Sequence, residues 1–133
     1  VSGTWAEGNP AVNGLGCSGH WFTVNPVSET TAHVTASWYE HGVRFFEVGL
    51  DTGKITEVGF FQPVATEAGA AIWIDDQHVY SVDYARGIDI LRFDAEAPRP
   101  TEQERVDSWL VSLGRVGELA SRERAYCQLA VAD

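Results

Sequence analysis

Hydrophobic and polar residues recur in the same order in two segments of the chain, 33–48 and 78–93. The first reads HVTASWYEHGVRFFEV and the second HVYSVDYARGIDILRF, and they align without a gap at an offset of 45 residues. In each segment an alternating run is followed by an aromatic residue, a His or Arg two positions later, a glycine and a second alternating run. Alternation with a period of two is typical of strands, and a glycine between two such runs favours a tight turn. Each segment is therefore predicted to be an antiparallel hairpin, with Gly42 and Gly87 at equivalent turns.

Further strand patterns flank these hairpins. Stretches at 21–24 and 54–61 complete a first unit of four strands, and a stretch at 71–75 precedes the second hairpin. Four antiparallel strands repeating every 45 residues match a β-propeller blade, whose period is roughly 40–50 residues. The predicted fold is therefore mainly β, with about two propeller blades. Because a propeller ring needs at least about four blades, a two-sheet β-sandwich with a helix is the alternative.

The C-terminal part of the sequence changes from strand to helix signals. Pro98 and Pro100 end the strand pattern, and Thr101 with Glu104 has the spacing of a helix capping box. Apolar residues then recur at steps of three and four, which predicts an amphipathic helix. The expected organisation is residues 1–97 as propeller blades in an incomplete ring and 98–133 as a helical tail packed on them.

Composition excludes several classes of protein. The chain has 133 residues, 44% of them hydrophobic, and a net charge of −10. This apolar content is sufficient for a folded core, whereas the negative charge would repel nucleic acid and anionic membranes. No apolar run approaches the ~20 residues that a membrane-spanning helix needs. We therefore expect neither a nucleic-acid partner nor a membrane span.

The two cysteines, Cys17 and Cys127, lie near opposite ends of the sequence and form no CxxC pair. A disulfide between them is the leading interpretation, and it favours an oxidising, extracytoplasmic setting. Two unrelated buried thiols or one reactive cysteine remain as alternatives. The sequence starts at Val1 and contains no Met, from which we expect that an upstream segment has been removed.

The repeats resemble those of the LVIVD-repeat proteins, a group of exported β-propellers. The strings SWYEHGVRFFEV, ITEVGFF and VYSVDYARGIDILRF carry the resemblance, which covers about residues 17–94. Its most specific motif is Tyr84, Arg86, Gly87 and Asp89, from which the first repeat departs at His41 and Arg44. The resemblance implies a propeller fold and a secreted or extracytoplasmic location, but little about activity.

The candidate site residues are few. His20 and His41, with Glu40 beside them, are candidate metal ligands, because a metal site needs converging imidazole and carboxylate groups. No HExxH or EF-hand spacing is present, so a structural or solvated role is the simpler interpretation. Arg86 and Asp89 are either a structural ion pair or ligand contacts at the propeller channel.

The function predicted from these observations is a non-enzymatic, exported propeller segment that acts as a binding and interaction scaffold without a cofactor. Its partner is expected to be another polypeptide chain, either the N-terminal remainder of its precursor or a second copy. The alternative is a metal-dependent propeller enzyme with histidines and a divalent metal in its channel. No catalytic residue is identified.

Overall fold

Seven antiparallel strands in two sheets account for about half of the residues that the structure describes. The computed structural model describes residues 19–63 and 66–108. Sheet 1 has four strands and sheet 2 has three, each in sequential order. The strands of sheet 1 are β1 (Phe22–Pro26), β2 (Thr31–Ser37), β3 (Val43–Gly49) and β4 (Ile55–Phe61), and those of sheet 2 are β5 (Ala68–Trp73), β6 (His78–Asp83) and β7 (Gly87–Arg92).

The two predicted hairpins are confirmed, and they share one register. His33 lies opposite Glu47 in the first hairpin, and His78 lies opposite Arg92 in the second, so the 45-residue offset seen in the sequence is kept pair by pair. The glycines at both turns have positive φ, +71° at Gly42 and +93° at Gly87. Glycine accepts this conformation without the steric cost that a Cβ atom imposes.

The prediction for the strand before the second hairpin was shifted in sequence. Residues 71–75 were expected to form it, whereas β5 covers Ala68–Trp73 and residues 74–77 form the turn to β6. Asp75 closes this turn because its Oδ1 accepts hydrogen bonds from the backbone N–H groups of Gln77 and His78, both at 2.8 Å. Asp75 is therefore a turn residue, since a carboxylate that bonds to nearby backbone amides favours a turn over a strand.

The core lies between the two sheets. Strand alternation gives each sheet two faces, and one face of each packs on the other; we call these the inner faces. The inner face of sheet 1 contributes Val43 and Phe45 to the core, while that of sheet 2 contributes Ala71, Val79 and Leu91. Burial of these side chains is the main source of stability of the two-sheet unit.

Aromatic rings surround this core at one side. The ring of Phe93, just after β7, stacks on Phe45 at 5.2 Å and meets Trp73 edge to face at 5.4 Å. His33 packs against the same group, with its ring 4.9 Å from Phe93. Burial lowers the pKa of His33, because desolvation disfavours the charged imidazolium.

Hydroxyl groups join the two sheets next to the apolar core. Thr23 Oγ1 on β1 donates to the carbonyl of Ala71 at 2.9 Å and accepts from the backbone N–H of Trp73 at 3.1 Å. Thr35 on β2 also donates to the Ala71 carbonyl, at 3.3 Å. These bonds fix the position of β5 against β1 and β2.

The tail begins as the predicted helix. Helix α1 covers 102–108, and the predicted capping box is present, since Thr101 Oγ1 accepts from the Glu104 backbone N–H at 3.2 Å and Glu104 Oε2 accepts from the Thr101 N–H at 2.8 Å. Ser108, the last described residue of α1, accepts a 2.8 Å hydrogen bond from Arg44 of sheet 1. The rest of the predicted tail lies outside the described residues.

Candidate functional site

Most of the candidate residues meet at one end of the two sheets, which we call the loop end. There β1, β3, β5 and β7 begin and β2, β4 and β6 end. His20 lies just before β1, Glu40 and His41 lie in the β2–β3 turn, and Arg86 lies in the β6–β7 turn. The antiparallel order of both sheets places these turns on the same side.

Backbone and ring contacts across the loop end hold the two sheets together. Tyr39, in the first turn, exchanges two backbone hydrogen bonds of 3.0 Å with Ala68 at the start of β5. The Tyr39 ring is parallel to that of Tyr84, in the second turn, with centroids 6.4 Å apart. Tyr84 in turn covers Gly69, where an added Cβ atom would lie 2.6 Å from the Tyr84 ring. The loop end is therefore a packed junction between equivalent turns.

His20 is part of this junction. Its Nδ1 lies 2.5 Å from the carbonyl oxygen of Gly69, and its ring centroid lies 5.0 Å from that of Tyr39. A carbonyl partner requires Nδ1 to carry the proton. His20 thus connects the segment before β1 to β5.

A polar cluster is buried beneath the first turn, on the opposite face of β3 from Phe45. Arg44 is fully buried and contacts Glu57 at 3.2 Å, Ser108 at 2.8 Å and Gln62 at 3.3 Å. The ring of Phe60 lies 5.0 Å from its guanidinium carbon, a cation–π distance. Arg44 therefore links β3, β4 and α1 through its side chain.

Glu40 and His41 are buried next to this cluster. The pKa of Glu40 lies above its ordinary value, because burial disfavours the charged carboxylate and the neighbouring Glu67 adds repulsion. Side chains enclosed in this way do not offer a surface to a ligand in solution.

The metal hypothesis needs His20, His41 and Glu40 to converge. The structure instead places His20 on the Gly69 carbonyl and His41 in the interior. Within residues 19–63 and 66–108, no group of three or more His, Cys, Asp or Glu side chains is placed to hold a metal ion.

Arg86 and Asp89 form an ion pair within the second hairpin. Arg86 Nε lies 3.1 Å from Asp89 Oδ2 and its Nη2 lies 3.0 Å from Oδ1, which is a bidentate arrangement. The pair raises the pKa of Arg86, chiefly through the side-chain hydrogen bond to Asp89.

Asp83 organises the loop end in a way that sequence reasoning missed. Its Oδ2 accepts from Thr66 Oγ1 at 2.6 Å and from the Glu67 N–H at 2.9 Å, while Oδ1 accepts from the N–H groups of Ala85 and Arg86. An Asp directly before a turn is a known signal for such backbone bonds, but the link to the chain entering β5 depends on the fold.

We call the remaining face of each sheet the outer face, and on sheet 2 this face is an accessible apolar surface. The outer face of sheet 2 exposes Ile88 and Ile90 to 65% and 67%, with further exposed side chains at Ile72, Tyr80 and Val82. These residues lie opposite one another in the register of the sheet, so they form one contiguous patch. A contiguous exposed apolar patch is typical of an interaction site, whereas single exposed apolar residues are ordinary on protein surfaces.

The outer face of sheet 1 is concave. It carries a cavity of about 410 Å³ lined largely by apolar side chains, among them Phe22, Val34, Phe46, Val48 and Ile55. Phe22, at the edge strand, is 63% exposed. The outer face of sheet 1 is therefore only partly accessible, since Phe46 on the same face is 4% exposed.

The two cysteines, Cys17 and Cys127, lie outside the described residues, so their predicted disulfide stays a prediction. In the described part of the chain, no helix has the length and apolar character needed to cross a membrane.

Comparisons with known proteins returned no match to a family model, to a curated protein or to a solved structure.

Proposed function

We propose that this chain is a non-enzymatic, exported β-propeller segment that acts as an interaction scaffold, and that the outer face of sheet 2 is the surface on which another polypeptide docks a β-sheet. One observation carries the proposal. Residues at equivalent positions of the repeat are covered in sheet 1 and uncovered in sheet 2.

The equivalence follows from the shared register. Phe45 and Val43, on the inner face of sheet 1, correspond to Ile90 and Ile88 on the outer face of sheet 2. Phe45 is 6% exposed and Val43 is fully buried because sheet 2 covers them. A further sheet placed on sheet 2 would cover Ile90 and Ile88 in the same way.

Stacking in one direction is the arrangement of blades in a propeller. Sheet 2 sits on sheet 1 with unlike faces in contact, so the arrangement can be continued by a third sheet. In a β-sandwich the two faces in contact close the core and the outer faces are polar, whereas here the outer face of sheet 2 is apolar. This difference favours the propeller interpretation over the sandwich.

One part of the proposal, the export of the chain, rests on the sequence. Export is supported by the resemblance to LVIVD-repeat proteins and by the spacing of Cys17 and Cys127, which labelling of free thiols in unreduced, denatured protein would test. Two labelled cysteines would remove the argument for an oxidising location.

A photoreactive side chain at position 90 tests the docking surface. The protein with this label, expressed in its source cells, is expected to form adducts whose attachment points fall on alternating residues of an extended segment, since a strand presents every second side chain. The same label at Glu102, an exposed position on α1, serves as the matched control. Equal adduct yields at the two positions would contradict the proposal.

A further inference from the structure

In the described part of the chain, sheet 2 has one strand fewer than sheet 1. In sheet 1, β3 pairs with β2 on one edge and with β4 on the other, whereas its counterpart in sheet 2, β7, pairs with β6 alone. At the 45-residue offset of the repeat, the positions of β4 fall on 100–106, which read PTEQERV and belong to the capping box and to α1. These residues therefore do not continue sheet 2.

The edge of β7 that faces away from β6 presents backbone groups for pairing. The Phe93 N–H donates to the Gln77 carbonyl at 2.7 Å, on the side of β6. Backbone groups of an antiparallel strand alternate between its two edges, so those of Ile88, Ile90 and Arg92 point to the opposite edge. No described strand lies there. An uncovered edge of this kind is a template for a further strand.

The space beside this edge is open and lies over sheet 1. Because β5 lies on β1 and β2 and Phe93, at the end of β7, stacks on Phe45 of β3, a strand beyond β7 would lie over β4. A cavity of about 450 Å³ is found there, lined by Arg92 and Phe93 from sheet 2 and by Val58 from β4. Val58 packs against the core but is only half-buried. A fourth strand in sheet 2 would cover it.

Arg92 indicates which side chain such a strand would present. Its counterpart in sheet 1, Glu47, pairs with Arg99 at 2.8 Å. Arg92 is exposed and has no carboxylate partner among the described residues. Opposite charges on directly opposed residues of neighbouring strands stabilise their pairing, as do apolar pairs. Arg92 therefore favours an acidic neighbour, and Ile88 and Ile90 on the same face favour apolar ones.

We propose that the free edge of β7 binds an extended segment of another polypeptide as a fourth, antiparallel strand of sheet 2, with a carboxylate opposite Arg92 and apolar side chains opposite Ile90 and Ile88. The antiparallel direction is that of β4 beside β3. In strand addition of this kind, main-chain hydrogen bonds supply affinity and side chains supply specificity. The inference goes beyond docking on the outer face, because it uses the backbone of an edge strand.

The described edge strands of a second copy would not supply this carboxylate. β1 contains no acidic residue. Glu57, the acidic residue of β4, is buried against Arg44, and Asp89 of β7 is paired with Arg86. The partner is therefore a polypeptide of different sequence.

A synthetic peptide with the sequence Ser-Glu-Val-Val-Thr-Val-Ser tests the pairing. In the proposed register its Glu lies opposite Arg92, and its second and third valines lie opposite Ile90 and Ile88. The N–H of the second valine points toward β7, whereas that of the first points away from it. N-methylation of the second valine is expected to raise the dissociation constant for the 133-residue chain at least about tenfold, because a main-chain hydrogen bond is lost. N-methylation of the first valine is the matched control and should leave the constant unchanged in fluorescence anisotropy.

Variants of the protein examine the same contact from the other side. Ile90→Pro removes an N–H that points to the free edge and leaves the bonds to β6 in place, since proline is tolerated at such edge positions, and it is expected to weaken peptide binding at least about tenfold. Ile90→Ala keeps that N–H and should weaken binding by less than about fivefold. Arg92→Glu should weaken binding of this peptide and restore binding of a peptide with Lys in place of its Glu. Circular dichroism establishes that each variant is folded, and the methylated peptides need no change in the protein.

The outcomes decide the inference separately from the proposed function. Absence of binding at millimolar peptide, or equal affinities of the two methylated peptides, would overturn strand addition. A dimer of the parent chain that Ile90→Pro dissociates, seen by sedimentation equilibrium, would assign the edge to a second copy and also overturn it. Tyr80→Asp, on the central strand of the outer face, should leave peptide binding unchanged, whereas it would reduce the adducts that a sheet docked on that face forms with position 90.

Discussion

The hairpins of sheet 1 and sheet 2 share a register and a turn glycine, but they bury opposite faces of their strands. In sheet 1 both faces carry buried side chains, with Phe45 on the inner face and Arg44 and Phe46 on the outer one. In sheet 2 only the inner face is buried, and Ile88 and Ile90 are exposed. The same backbone unit therefore exists in two environments within one chain.

The comparison separates features that the repeat sequence determines, namely register and turn conformation, from burial, which depends on neighbouring parts of the molecule. Register and turn conformation are equal in the two hairpins, so they depend on local sequence. Burial differs because sheet 1 has a neighbour on its inner face and contacts from α1 on its outer face, whereas the outer face of sheet 2 has none among the described residues. Under the proposed function, a docked sheet would cover Ile88 and Ile90 as sheet 2 covers Val43 and Phe45.

Truncation at one equivalent pair gives the largest predicted contrast. Phe45→Ala removes a ring from the core and is expected to lower the free energy of unfolding by about 3–5 kcal/mol. Ile90→Ala, at the corresponding exposed position, should change the free energy of unfolding by less than about 1 kcal/mol. Urea unfolding followed by tryptophan fluorescence measures both. Equal losses of unfolding free energy would mean that Phe45 and Ile90 lie in equivalent environments, which would contradict the comparison.

A second contrast concerns the ion pairs of the two hairpins. Glu57→Gln removes the charge of the carboxylate that lies 3.2 Å from the buried Arg44 and is expected to cost about 3 kcal/mol, as when one partner of a buried pair is removed. Asp89→Asn breaks a partly exposed pair with Arg86, and solvent screening makes its effect much smaller. Thermal unfolding of the two variants gives the comparison. A larger loss for Asp89→Asn would assign the main structural role to the exposed pair.

The sequence was sufficient for the local part of the fold. The alternating pattern and the glycine turns predicted both hairpins, and the Thr101 capping box predicted the start of α1, because these signals depend on residues close in the chain. The start of β5 was misplaced, since its Ala-Gly-Ala-Ala segment has little intrinsic strand preference. It is a strand because β6 and the Thr23 hydroxyl hold it in place.

The candidate site was predictable in location but not in role. The sequence placed Glu40, His41 and Arg86 at hairpin turns, and the fold brings those turns to one end, where His20 also lies. Packing between distant segments decides which side chains are buried at the loop end. Local patterns in a single sequence do not reveal that packing. His41 was a candidate ligand by residue type, yet it is fully buried.

The turn glycines provide a third contrast, of intermediate size. A Cβ atom at Gly87 meets no atom within 4 Å, so Gly87→Ala should cost only the strain of positive φ, about 1–2 kcal/mol. A Cβ atom at Gly42 would lie 2.1 Å from the Phe61 carbonyl oxygen, so Gly42→Ala is expected to cost more because β4 must also move. Chemical denaturation of both variants gives the order. A smaller loss at Gly42 would show that the first turn is not held against β4.

The smallest predicted effect is a pH dependence confined to the first turn, where Glu40 stands at the position that Ala85 has in the second. The pKa of Glu40 is raised in the folded protein, first by desolvation and then by Glu67, so the folded state binds a proton more tightly than the unfolded state does. The stability contributed by this proton is fully present below the ordinary carboxylate pKa and is lost as pH rises through the raised value. Lowering the pH from neutral to about 5 should therefore stabilise the parent protein relative to Glu40→Gln, which cannot titrate. Urea unfolding at several pH values measures this difference, with Glu102→Gln as an exposed control. Parallel curves of unfolding free energy against pH for the parent and Glu40→Gln would mean that the carboxylate of Glu40 keeps its charge inside the turn.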